Sequence, residues 1–151
     1  MRISRSEEYG VRLILGLASA GDQLTIREMS SREGLPEPTV AKVVARLRRA
    51  GLVRAERGRN GGYSLGRPAD GISLAAVLNA LDEAMYDESF CERVSPDGSC
   101  SRGPDCQLRP VWRGLTALVG KYLERITVAD LVGGRPAPDA GSLLPVMNDR
   151  P

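Results

Sequence analysis

Residues 25–65, TIREMSSREGLPEPTVAKVVARLRRAGLVRAERGRNGGYSL, decide the fold. Thr25-x-x-Glu28 has the spacing of a capping box, in which a hydroxyl and a carboxylate each satisfy a helix-start N–H. A short helix therefore opens there and runs through Ser31 or Glu33. Gly34 stops it, because glycine accepts the left-handed conformation that ends helices. Pro36 and Pro38 suit the first turn of the next helix. Val40, Val43, Val44 and Leu47 form its buried stripe, and Gly51 ends it. Its opposite face carries Thr39, Lys42, Arg46 and Arg49 at steps of three and four. Leu52 to Arg57 reads as a strand, Gly58 to Gly62 as a turn-rich tip, and Tyr63 to Leu65 as the returning strand.

Outward from this stretch, Ser4-x-x-Glu7 is another capping box. Leu13, Ile14, Leu17 and Ala18 continue a helix to about residue 19, and Gly21-Asp22 closes it. The order helix, short helix, basic helix, hairpin is that of a winged helix-turn-helix over residues 1–68. After Pro68, Ser73 caps a connecting helix within 69–85, with Leu74, Val77, Leu78, Leu81 and Met85 on one side. Residues 86–106 lose all periodicity. A stripe of Leu108, Val111, Trp112, Leu115, Leu118, Val119, Tyr122 and Ile126 then predicts one long helix over 107–132. Such a helix on a small domain needs a partner surface, and a homodimer matches a palindromic operator. Residues 133–151, rich in Gly and Pro, read as a tail. The expected fold class is mainly α with a small β-hairpin wing, plus a long dimerisation helix.

Charge is divided along the 151 residues. Residues 1–68 hold 13 Lys and Arg against 7 Asp and Glu, whereas 69–151 hold 8 against 12, which returns the net +2 of the chain. Within 42–67, eight basic residues face Glu56 alone. A concentrated basic segment in a near-neutral chain marks a surface for a polyanion. Lys42, Arg46 and Arg49 could reach phosphates or guanine edges, and Thr39 lies near the helix start, where bases come closest. Arg57 and Arg59 stand on the narrow glycine-rich tip, which fits a minor groove. Double-stranded DNA is the expected partner.

Other classes are disfavoured. The chain has no histidine, no phosphate-binding loop and no paired carboxylates in a catalytic setting, so an enzyme is not expected. Aromatic residues make up 4%, too few for a single-strand stacking surface. The start MRISRSEEYG lacks a signal-peptide apolar core, and no apolar run spans a membrane, so a cytoplasmic location without a membrane partner is expected.

Three cysteines, Cys91, Cys100 and Cys106, fall within 16 residues at C-x8-C-x5-C spacing. Clustered in a polar, Gly/Pro-containing loop, they do not resemble buried core thiols. Zinc normally takes four tight ligands, often from C-x2-C pairs, which the chain lacks. An iron–sulfur cluster favours thiolates and also wants four ligands, so three thiolates plus an oxygen or an open position would make a labile one. A thiol switch with a disulfide between two of the three is the remaining option.

The start MRISRSEEYGVRLILGLA, the segment LRRAGLVRAERGRNGGYSLGRPADGISLAAVLNALDE and the three-cysteine loop before a long helix resemble the Rrf-two (Rrf2) family of bacterial repressors, which includes IscR, NsrR and RirA. The similarity covers about residues 1–132, and R-G-x-x-G-G-Y at Arg57 to Tyr63 is its most telling part. The resemblance implies a dimer with crossing long helices and an iron–sulfur cluster (2Fe–2S or 4Fe–4S) held by Cys91, Cys100 and Cys106. It also implies that Arg57 enters the minor groove. Where IscR-like members supply a histidine after the third cysteine, this chain has Arg109. Where a redox-sensing member has a first-helix histidine, this chain has Arg12. Glu8 matches the first-helix carboxylate of other members and is the candidate fourth ligand, donated across the dimer. Asp105 and Glu92 are local alternatives. The implied function is a cluster-dependent repressor sensing iron, redox state or nitric oxide. The alternative is a cofactor-free or thiol-redox winged-helix regulator.

Overall fold

The computed structural model describes residues 3–58, 61–81, 106–139 and 141. The expectations for Arg59, Met85, Cys91, Glu92, Cys100, Asp105 and the last residues of the tail lie outside the described residues.

Helix α1 (Arg5–Ala20) opens with the expected reciprocal cap between Ser4 and Glu7 and closes on Gly21 at φ +66°. Helix α2 (Ile26–Glu33) opens with the Thr25–Glu28 box and closes on Gly34 at φ +65°. Helix α3 (Glu37–Arg49) has Pro36 as its cap and Pro38 in its first turn. All four residues of its apolar stripe, Val40, Val43, Val44 and Leu47, are buried. They pack with Leu13, Ile14 and Leu17 of α1 and with Met29 of α2 in one core. Burying this many aliphatic side chains, at about 1.5–3 kcal/mol each, is what holds the three helices together.

Strands β1 (Val53–Glu56) and β2 (Gly62–Leu65) form an antiparallel hairpin in the register Val53↔Leu65 to Glu56↔Gly62. The hairpin is anchored by a contact not visible in the sequence pattern. Leu24, between α1 and α2, exchanges both backbone hydrogen bonds with Tyr63, at 2.9 and 2.8 Å. Gly62 permits this approach: a Cβ there would stand 2.9 Å from the Leu24 carbonyl oxygen. The wing is thereby fixed to the body of the domain.

A single helical turn at Ala69–Gly71 leads to α4 (Leu74–Asn79), capped by Ser73 as expected. The long helix differs from its expectation. Helix α5 covers Leu108–Glu124, and a separate helix α6 covers Val128–Val132. The break is a further capping box, Thr127 with Asp130, which starts a new helix although Ile126 keeps the apolar spacing. Leu74 N–H donates to the Ile126 carbonyl at 2.8 Å, and Val128 N–H donates to the Ile72 carbonyl at 2.9 Å. Ile126 therefore does not extend the α5 stripe. It is buried, and Val128 joins the core formed by the first three helices. The single helix expected over 107–132 is thus two helices, and α6 packs on α1 rather than prolonging α5.

No residue of α5 is buried. Leu108, Val111, Trp112 and Leu115 are 52, 57, 42 and 43% exposed. None of the described helices is long and apolar enough to cross a membrane.

Candidate nucleic-acid interface and cysteine site

The α2–turn–α3 unit presents one polar face of α3 outward. Lys42 and Arg49 are exposed, while Thr39 and Arg46 are half-buried. The buried stripe fixes this rotation of the helix, because turning it would expose four valine and leucine side chains. Arg46 is held by a residue 40 positions earlier: one of its Nη groups donates to Ser6 Oγ on α1 at 3.5 Å. Arg49 folds back along α3, its Nε donating to the Ala45 carbonyl at 3.4 Å. The helix period puts both arginines opposite the buried stripe but carries no signal for the Ser6 contact.

Arg57 is exposed at the end of β1, next to Gly58 at φ +132°. The tip is closed by a hydrogen bond from Gly61 N–H to the Gly58 carbonyl at 2.9 Å. Behind it, Arg54 and Glu56 pair on one face of the hairpin at 2.7 Å, with Ser64 bridging them. Glu56, the single acid of the basic segment, is thus neutralised locally.

Of the expected cysteine-site residues, Cys106 and Glu8 are described. Cys106 is a half-buried free thiol immediately before α5, and its carbonyl accepts from Arg109 N–H at 3.2 Å. Glu8 lies in the first turn of α1 with its side chain 58% exposed, 3.8 Å from Arg12 Nη1. Arg12 is turned toward α2 instead, where its Nε lies 3.0 Å from Glu33 Oε2. Among the described residues, the Glu8 carboxylate is therefore only loosely engaged.

A helix-turn-helix pair, a tethered antiparallel wing and a capping helix that returns onto the first helix define the class: a winged-helix DNA-binding architecture. The family model for Rrf2, "Iron-dependent Transcriptional regulator", matches residues 3–134, and the chain belongs to that family. IscR of Erwinia tasmaniensis is 34% identical over 137 residues, which cover 89% of this chain and 81% of that protein. The solved structure of T. potens IscR is similar with a TM-score of 0.67 at 25% identity, covering 92% of this chain and 91% of that one. CymR, the global cysteine regulator of B. subtilis, is similar with a TM-score of 0.66 at 25% identity, covering 89% of this chain and 98% of its own. The chain is a DNA-binding transcriptional regulator and not an enzyme.

Proposed function

We propose that the chain is an iron–sulfur-dependent repressor that binds a palindromic operator as a homodimer. The carrying observation is the three-cysteine segment of an Rrf2 chain, ending in Cys106 where α5 begins. The donor chemistry fits an iron–sulfur group. Cys91, Cys100 and Cys106 would supply soft thiolates, and Glu8 a hard carboxylate as the fourth ligand. Glu8 suits donation to a second chain because its side chain is largely exposed and its one ion-pair partner among the described residues is 3.8 Å away. When bound, the group supplies a centre that oxidants, nitric oxide or iron shortage can alter.

The chain's own residues do the rest. Thr39, Lys42, Arg46 and Arg49 on α3 meet the major groove, and Arg57 and Arg59 on the wing meet the minor groove. The exposed apolar face of α5 is the dimer surface, since water-exposed Trp112, Val111, Leu108 and Leu115 in one stripe favour a partner. Cys106 abuts this helix, so the state of the cysteine segment bears directly on the geometry of the two recognition helices.

A thiol-based regulator is the second reading, favoured by the similarity to the cysteine regulator CymR and by the half-buried free thiol of Cys106. Anaerobic purification under iron-replete conditions, followed by absorbance and operator binding with and without cluster, tests both. A brown protein whose operator affinity changes on cluster removal supports the first reading. A pale, metal-free protein whose affinity changes on forming a disulfide supports the second.

A further inference from the structure

We propose that Arg46 and Arg49 form an anchored clamp for a DNA backbone phosphate, leaving base reading by α3 to Thr39 and Lys42. This rests on the DNA-binding reading above and divides its interface into parts with different jobs.

Residues near the start of a recognition helix reach base edges, and the helix then rises out of the groove. Thr39 and Lys42 lie in the first half of α3, whereas Arg46 and Arg49 lie in its last turn. From Thr39 to Arg49 the axis advances roughly 15 Å, enough to pass from the groove floor to the backbone.

The side chains are arranged for a fixed anion rather than for extended base reading. Arg46 Nη1 lies 3.5 Å from Ser6 Oγ and Arg49 Nε 3.4 Å from the Ala45 carbonyl oxygen, long contacts that draw both side chains back from full extension. Together with Ala50 and Ala80 they line a concavity of about 350 Å³ where the ends of α3 and α4 meet. Its described lining residues are two arginines and two alanines, with no Asp or Glu among them. Guanidinium groups match the oxygens of a phosphodiester. Lys42 has no such tether and stands exposed on the groove side.

A phosphodiester and free phosphate share this chemistry, and the experiment separates them. The full chain is titrated against two duplexes of equal length between 50 and 200 mM salt. One is selected from a random pool by the wild-type protein, and the other is scrambled. Arg46→Ala and Arg49→Ala are each expected to weaken both duplexes by the same factor, about fivefold at 0.15 M salt, and to reduce the salt slope by about one. Arg46→Lys keeps the slope. Ser6→Ala weakens both duplexes and also keeps the slope, because the charge remains but loses its anchor. Lys42→Ala instead changes base preference. Inorganic phosphate, added at constant ionic strength, leaves wild-type affinity unchanged. The clamp is overturned if Arg46→Ala and Arg49→Ala keep the full slope, if they alter base preference, or if inorganic phosphate competes. Wild-type protein that prefers no duplex overturns the operator-binding reading instead. Circular dichroism melting of each variant reports whether the fold is intact.

Discussion

Arg12, midway along α1, ends on Glu33, the last residue of α2. Its Nε lies 3.0 Å from Oε2, and a second nitrogen donates to the Glu33 backbone carbonyl. That carbonyl belongs to a helix end, where acceptors lack intrahelical partners. The pair therefore holds α1 against the turn that launches the recognition helix.

Replacing Arg12 by Ala removes the ion pair, the carbonyl contact and the packing of the arginine stem. The expected loss is about 1–2 kcal/mol. Glu33→Gln keeps the carbonyl contact and is expected to cost less, about 0.5 kcal/mol, because the guanidinium is partly solvated. Urea unfolding of the two variants checks the order; equal losses would show that the carbonyl contact contributes nothing.

Gly62→Val tests the wing tether. A side chain at this position meets the backbone of Leu24, which is itself held between α1 and α2 and cannot yield as a flexible side chain could. The bridge to Tyr63 breaks and the hairpin swings away. The expected outcome is a loss of about 1–3 kcal/mol in stability. DNA affinity should fall further than the equivalent change at Gly71, where an added Cβ meets nothing within 4 Å. Gel-shift titration of both variants makes the comparison.

Acid should loosen two helix starts together. Hydrogen bonds from the Thr25 backbone and hydroxyl hold the Glu28 carboxyl below its ordinary range. The Thr127 hydroxyl and backbone do the same for Asp130, with a smaller contribution from Arg135. A lowered folded-state value means that the unfolded chain binds more protons. The stabilisation is therefore present above the ordinary carboxylate range and is lost as pH falls through the lowered values. Glu28→Gln and Asp130→Asn should each flatten the fall in stability below about pH 4.5, measured by urea unfolding across pH. An unchanged slope in both variants would assign the acid sensitivity elsewhere.

Much of this architecture could be read from the sequence because its signals are local. The Ser4–Glu7 and Thr25–Glu28 boxes, Gly21, Gly34 and the two prolines each fix a boundary within a few residues. The α3 stripe fixes which face is buried. Two features escaped for physical reasons. The bridge of Leu24 to Tyr63 is a single-residue pairing with no period to detect. The end of α5 was masked because Ile126 continues the apolar spacing, although Thr127-x-x-Asp130 held the competing signal. At the site, the faces of Lys42, Arg46 and Arg49 followed from the helix period, but the anchoring of Arg46 by Ser6 depends on a contact across 40 positions. The engagement of Arg12 with Glu33 across α1 and α2 was equally invisible.

The apolar face of α5 gives the sharpest separation between folding and assembly. Leu115 is 43% exposed, and no residue of α5 is buried within the chain, so a charge at this position disturbs little of the domain core. Across a dimer interface the same charge would be desolvated without a partner, which costs several kcal/mol in each of two symmetry-related copies. Leu115→Glu is therefore expected to yield a monomer with a near wild-type circular dichroism spectrum. That monomer should bind an isolated half-site but lose the cooperative binding to the full palindrome. Light scattering coupled to size exclusion gives the mass, and duplexes carrying one or two half-sites give the binding. A Leu115→Glu chain that remains dimeric would place the interface on another face and leave the stripe of α5 to a different partner.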